Sequence, residues 1–254
     1  MNTKAVTTNQ QVVSETNNYS GNDYSYPTTD STATNRRLND QHFKNLTEER
    51  GLDRKWVEAN CYSGDIKEVS EVLHYQAKSG GIIIDTPTQM QVRPDKPWRG
   101  EKDKKAPKYR TPLKDDYDAI LPTNPNELRY WTDIQKLKET AYNIDGTPCL
   151  LITEGGFKAI AGCSNGLPTM GLCGVEQGLI GSKHDPEGKR FLVPSLRHYA
   201  DHGFGFIIAY DADCATNKNV VNAEKKLAFQ LGKMGVPVYS ITGTWSEDEG
   251  KGMD

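Results

Sequence analysis

Cys149-Leu150-Leu151-Ile152-Thr153-Glu154-Gly155-Gly156-Phe157-Lys158-Ala159 is the stretch that decides the fold. Five residues without a charge, two of them leucine and two β-branched, read as a short buried strand. A charged residue and two glycines then read as a turn, and Phe157–Cys163 as the start of a helix. The same rhythm recurs downstream. Leu167–Cys173 reads as a second strand and Leu192–His202 as a helix. Gly205–Tyr210 reads as a third strand ending in Asp211-Ala212-Asp213. Asn219–Met234 carries Val220, Ala223, Leu227 and Leu231 on one helical stripe, Gly235 stops it, and Val236–Ile241 reads as a fourth strand. Strands alternating with helices predict an α/β fold, a mostly parallel sheet with helices on its faces.

That architecture gives the acidic residues a place. Ligands of open parallel sheets bind beyond the carboxyl ends of the strands. Glu154, Asp211 and Asp213 stand at two such ends. Three carboxylates at one edge resist joint ionisation, and a hard cation such as Mg²⁺, which bridges readily to phosphate, relieves the repulsion. Gly155 and Gly156 leave room for a bulky phosphate to approach backbone.

Upstream of the α/β part the chain changes character twice. In residues 1–42 the first 41 positions contain 22 Ser, Thr, Asn or Gln, a composition predicting a disordered polar tail. Residues 43–126 form an N-terminal region. Two short helices are expected over 43–78, broken at Ser63-Gly64-Asp65. Gly80–Asp85 is expected as a strand and 88–93 as its hairpin partner. Residues 91–114 hold nine basic side chains against three acidic ones, with Trp98 and Tyr109 interleaved. Arg93, Lys104, Lys105, Lys108, Tyr109 and Arg110 are the candidate nucleic-acid contacts, since cations neutralise phosphates and rings stack on unpaired bases. A solvated charged loop is the other reading of the same run. Residues 127–254 form the α/β domain.

Composition narrows the class further. The 254 residues carry 31 Lys+Arg against 34 Asp+Glu, and the mean hydropathy is −0.71. No apolar run approaches the roughly 20 residues that span a bilayer, and no leader pattern opens the chain, so a cytoplasmic protein is expected. The five cysteines contain no C-x-x-C pair, which argues against a zinc ribbon or a disulfide scaffold. Cys149, Cys163, Cys173 and Cys214 read as small buried hydrophobes, and the scattered histidines, His198 and His202 included, as surface residues. No G-x-x-x-x-G-K-[ST] loop is present, which excludes a P-loop ATPase within this chain.

Ile152–Ile160 together with Ile207–Asp213 resembles the Toprim domain shared by bacterial primases, topoisomerases and some nucleases. The order Arg93-Pro94-Asp95, Lys108-Tyr109, Thr153-Glu154-Gly155 with Lys158-Ala159, Gly174-Val175, Asp211–Asp213 and Gly252–Asp254 resembles more closely the Toprim-like domain of plasmid and phage replication proteins, cyanobacterial ones especially. The resemblance implies a Rossmann-like parallel sheet and a DNA primase-type nucleotidyltransferase of a mobile element, working with Mg²⁺ or Mn²⁺ on single-stranded DNA and nucleotides. It implies a plasmid- or nucleoid-associated place in the cytoplasm, and a helicase downstream or as a separate partner. Glu154 would be the general acid/base or a metal-linked carboxylate, Asp211, Asp213 and Asp254 the metal ligands, and Gly155, Gly156 and Gly174 substrate contacts. A nuclease with the same carboxylates and a non-catalytic DNA-binding module are the rival readings. Two departures stand out. The family's primases usually carry Asp where Lys158 stands; the lysine would contact phosphate or ion-pair with Glu154. The chain also stops at Asp254, inside the last motif, as a fragment of a longer protein would.

Overall fold

Asn39 accepts the backbone N–H of His42 and opens helix α1 (Asp40–Lys44), which continues into a π-helical turn, Asn45–Glu49. The structure is a computed structural model and describes residues 36–100, 103–113, 117–181, 190–212 and 216–244. Asp53 caps α2 (Arg54–Asn60) through the N–H of Trp56. A short polar side chain at the N-cap satisfies one of the donors that a helix start leaves open. Of the segment read as a tail over 1–42, residues 36–42 are structured and packed, and residues 1–35 lie outside the described residues. Arg36 pairs with Asp85 and lies over the Tyr62 ring, Leu38 packs on the core, and His42 is buried. Composition averaged over the segment hides these few anchoring residues.

The expected break at Ser63–Asp65 is instead strand β1 (Cys61–Gly64), and Asp65 starts α3 (Ile66–Leu73) through a reciprocal capping box with Glu68. Strands β2 (Gly81–Asp85) and β3 (Met90–Pro94) form the expected hairpin and complete an antiparallel sheet in the order β1-β2-β3. Ser63 Oγ accepts the Asn39 N–H at 2.8 Å and meets His42 Nδ1 at 2.7 Å. His42 Nε2 lies 2.8 Å from Asp95 Oδ1, so one chain of hydrogen bonds ties α1 to β1 and to the end of β3.

Helix α4 (Ile134–Thr140) and strand β4 (Tyr142–Ile144) precede β5 (Thr147–Glu154), α5 (Gly156–Ser164) and β6 (Thr169–Leu172). A small hairpin follows, β7 (Leu179–Gly181) with β8 (Arg190–Leu192), so the helix expected over 192–202 begins only at Pro194, as α6 (Pro194–Asp201). Proline suits a helix start because its missing N–H would have no partner there. The chain then forms β9 (Gly205–Ile208), α7 (Lys218–Gly232) and β10 (Val238–Ser240).

β5 pairs in parallel with β6 on one side and β9 on the other, and β10 adds in parallel to β9. β4 pairs antiparallel with the first half of β5, making the sheet mixed. Outside β6, Ile120 exchanges backbone hydrogen bonds with Gly171 at 2.7 and 2.9 Å and extends the edge. Helices lie on both faces. A Cβ on Gly171 would stand 3.1 Å from Ala159 of α5. Its neighbour Leu172 points the other way, beside Gly178 and Leu227 of α7.

The N-terminal region and the α/β part share one core. Leu46, Trp56, Val57 and Ile84 belong to the same buried cluster as Ile120, Phe157, Ile160, Tyr199 and Phe206. Edge-on and tilted aromatic contacts run from Trp56 through Tyr130, Trp131 and Tyr199 to Phe204. Two polar tips in this row are spent inward: Trp131 Nε1 donates to Pro122 O and Tyr199 OH to Trp131 O.

Candidate functional site at the carboxyl edge of the sheet

After β5 the chain runs through α5 to β6 on one side, then returns by α6 to β9 on the other side. The gap between the ends of β5 and β9 is therefore the place where the winding reverses, the usual crevice for ligands in open α/β sheets. Glu154 is the last residue of β5. The pairing of β5 with β9 runs to Ile152 opposite Ile208, and Ala209 N–H still donates to Ile152 O at 2.8 Å. Asp211 thus emerges at the same edge as Glu154. The sequence brings these two carboxylates together through strand ends, and the structure places both there.

Lys158 sits in the first turn of α5, and its Nζ lies 2.6 Å from Asp211 Oδ1. Both side chains are largely buried, 16% and 15% exposed. A cation in a first helical turn opposes the helix dipole, and the Asp211 carboxylate offsets it. Asp211 Oδ1 is thus buried against the Lys158 ammonium as its charge partner. Of the two roles open to Lys158 in the sequence, an ion pair is formed, and the structure gives Asp211 as a partner.

The glycines of the turn have packing work as well. Gly155 has φ +89, the left-handed region, and its N–H donates to Leu172 O at 2.7 Å. Gly156 is buried, and a Cβ there would stand 2.8 Å from Ile84 Cδ1. Its N–H donates to Gln91 Oε1 at 3.1 Å. This donor and this space, expected to be open to phosphate, are occupied by β2 and β3. Gly174 has nothing within 4 Å of where a Cβ would lie and sits in an open turn. The following Val175 O accepts from Tyr210 OH at 3.4 Å, and Tyr210 N–H donates to Thr242 Oγ1 at 3.2 Å. Tyr210 thereby ties the 174–178 turn and the segment after β10 to the end of β9.

Asp213 and Asp254, the other expected metal ligands, lie outside the described residues. Among the described residues no group of three or more His, Cys, Asp or Glu is arranged around a metal position.

The basic segment divides into inward and outward halves. Arg110 pairs with Asp103 at 2.9 Å, donates to Trp98 O and lies over the Trp98 ring. Trp98 is buried, so it offers no free stacking face. Tyr109 is half-buried edge-on against Phe157 of α5, which brings this segment to the start of the helix bearing Lys158. Arg93 is half-buried, with Nη1 enclosed and without a hydrogen bond among the described residues. Lys104, Lys105 and Lys108 are exposed. Cys149 and Cys163 are buried, and burial lifts the Cys163 thiol to about 12, which keeps it protonated and unreactive. Cys173 is half-buried, and Cys214 falls outside the described residues. Gln91, Tyr210 and Thr242 escaped the sequence reading, because nothing in their local pattern signals a bond to a distant strand end.

A family model described as a domain of unknown function, DUF3854, matches residues 142–254. The match starts at the first residue of β4 and takes in the whole parallel sheet with Glu154, Lys158 and Asp211. No curated protein and no solved structure matches the chain. Among the described residues no helix is long and apolar enough to cross a membrane.

Proposed function

We propose that the edge holding Glu154, Lys158 and Asp211 is a Toprim-type nucleotidyl-transfer site that acts on single-stranded DNA in the replication of a mobile element. The observation that carries this reading is the emergence of Glu154 and Asp211 from adjacent parallel strands where the winding reverses, with Lys158 held between α5 and Asp211.

Carboxylates are the oxygen donors that Mg²⁺ or Mn²⁺ takes, and an ion at Asp211 would share that carboxylate with the Lys158 ammonium, 2.6 Å from its Oδ1. Asp211 would hold the ion, with Asp213 and Asp254 as further ligands, which leaves Glu154 for the proton. When bound, it would polarise a phosphoryl oxygen and neutralise charge there. The chain's own groups do the rest. Glu154 takes the proton of the attacking 3′-hydroxyl as its oxygen bonds to the α-phosphorus of a nucleoside triphosphate. The bond to the bridging oxygen breaks, and pyrophosphate leaves with the electron pair. Lys158 supplies positive charge beside the transferring phosphoryl group. The exposed Lys104, Lys105 and Lys108 hold template phosphates.

The Lys158–Asp211 pair also favours a second reading, a site that binds DNA without catalysis, the ammonium standing where a metal would otherwise balance the carboxylates. Incorporation of labelled nucleotides on a single-stranded template separates the two. Product that needs Mg²⁺ or Mn²⁺ and disappears in Glu154→Gln supports transfer. Template binding with no product under any metal supports the binding module.

A further inference from the structure

Helix α7 buries Val220, Ala223, Leu227 and Leu231 against the core. The opposite face carries Lys218, Asn222, Lys225 and Phe229, with Lys233 just past the helix end. Steps of four, three, four and four residues keep all five on one stripe. Phe229 stands in the middle of this outward stripe, 64% exposed, with the Lys233 ammonium 5.3 Å from its ring centre. An exposed aromatic at the centre of a solvent face serves no core. Beside the first two turns lies a groove of about 340 Å³ lined by Lys218, Val221, Asn222 and Lys225. The stripe holds no acid, since the helix's one carboxylate, Glu224, lies off to its side. It starts seven residues after Asp211, so it leads away from the carboxyl edge.

We infer that this face of α7 is a track for single-stranded nucleic acid, with Lys218, Lys225 and Lys233 on phosphates spaced along the strand and Phe229 stacked under a base. The inference rests on the nucleic-acid reading above and adds an interface that the sequence did not single out. Three cations on a stripe of ~22 Å match a strand laid along the helix, and the exposed Phe229 ring among them accepts any base as Lys233 turns from the ring to a phosphate. Trp98, the aromatic expected to serve this purpose in the 91–114 run, is buried, and Tyr109 leans on Phe157.

Anisotropy of a fluorescein-labelled dT12 tests it on the full chain, with salt titrations, beside a matched single-stranded RNA and a 12-base-pair duplex. Phe229→Ala should weaken dT12 about tenfold or more and affect the duplex less. Lys218→Ala/Lys225→Ala/Lys233→Ala should flatten the salt slope by about 2 for single strands. Lys67→Ala, a change at an 84% exposed side chain on α3, should leave both unchanged. The RNA arm reports whether the track prefers one sugar, and the loss in Phe229→Ala is expected for whichever strand binds. If the wild type binds dT12 and both α7 changes bind like it, the track is overturned while the nucleic-acid reading stands. If the wild type binds no strand, both fall. A change in oligomeric state of Phe229→Ala with dT12 binding intact overturns the track in favour of a protein-docking face.

Discussion

Lys158 and Asp211 form an ion pair of 2.6 Å between the first turn of α5 and the end of β9. Partners this enclosed depend on each other, because removing one strands the other's charge in a poorly solvated site. Lys158→Ala should lower stability by about 3 kcal/mol. Lys158→Ala/Asp211→Ala should lose less than the sum of the single changes, a coupling that denaturant melts of all four proteins would measure. With the ammonium gone, the neighbouring carboxylates repel more strongly, so Mg²⁺ should raise the melting temperature more in Lys158→Ala than in the wild type. An equal shift in both would separate the lysine from any cation site.

Gly156 is held by space. A methyl group there meets Ile84 Cδ1 at 2.8 Å, Ile84 Cγ2 at 3.0 Å and Ile120 Cδ1 at 3.3 Å. Both isoleucines are fully buried and have little room to yield. Gly156→Ala should cost about 1–3 kcal/mol as overpacking. Adding Ile84→Val removes the nearest clashing atom and should recover part of the loss in a urea melt. No recovery would place the cost in the backbone of the turn instead.

The His198 and His202 rings lie tilted against each other with centres 4.4 Å apart, and His202 Nδ1 lies 2.8 Å from His198 O. Burial first, then the His202 charge, holds His198 below its ordinary 6.5. The folded state therefore takes up the proton at lower pH than the unfolded state. The stability tied to neutral His198 is fully present above about pH 6.5 and is lost as pH falls through the folded value. An NMR titration should show His198 titrating below 6.5 and moving upward in His202→Gln. A curve that does not move would leave burial as the whole cause.

The two halves of the basic segment should separate by experiment. Arg110→Ala removes the pair with Asp103, the bond to Trp98 O and the cover over the Trp98 ring, and should cost about 2 kcal/mol. Lys104→Ala/Lys105→Ala/Lys108→Ala should leave the melting temperature in place and flatten the salt dependence of single-strand binding by up to about 2. An unchanged slope would return these lysines to the solvated-loop reading.

Much of the α/β half was legible because its strands are short apolar runs closed by turn residues, and its long helix has a clean apolar stripe. Glu154 and Asp211 could be placed at strand ends for the same reason. β1 was not legible: Ser63 and Gly64 read as a break, yet their backbone pairs with β2 and Ser63 bonds to His42 and Asn39. β4, β7 and β8 are three residues each, too short to show a period. The shared core could not be seen either, because Ile84 against Gly156 and Trp56 against Tyr130 are contacts between distant segments. Phe229 was the readable signal passed over, an aromatic four residues after Lys225 on the polar side of an otherwise regular amphipathic helix.

The measurement that bears most directly on the carboxyl-edge site is photo-cross-linking with an azido-purine nucleoside triphosphate in the presence of Mg²⁺, followed by peptide mapping. The expected result is adducts confined to peptides spanning β5–α5 and the end of β9, competed by unlabelled triphosphate and diminished in Asp211→Asn. Adducts mapping only elsewhere, or labelling that unlabelled triphosphate and Asp211→Asn leave unchanged, would contradict a nucleotide site between Glu154, Lys158 and Asp211.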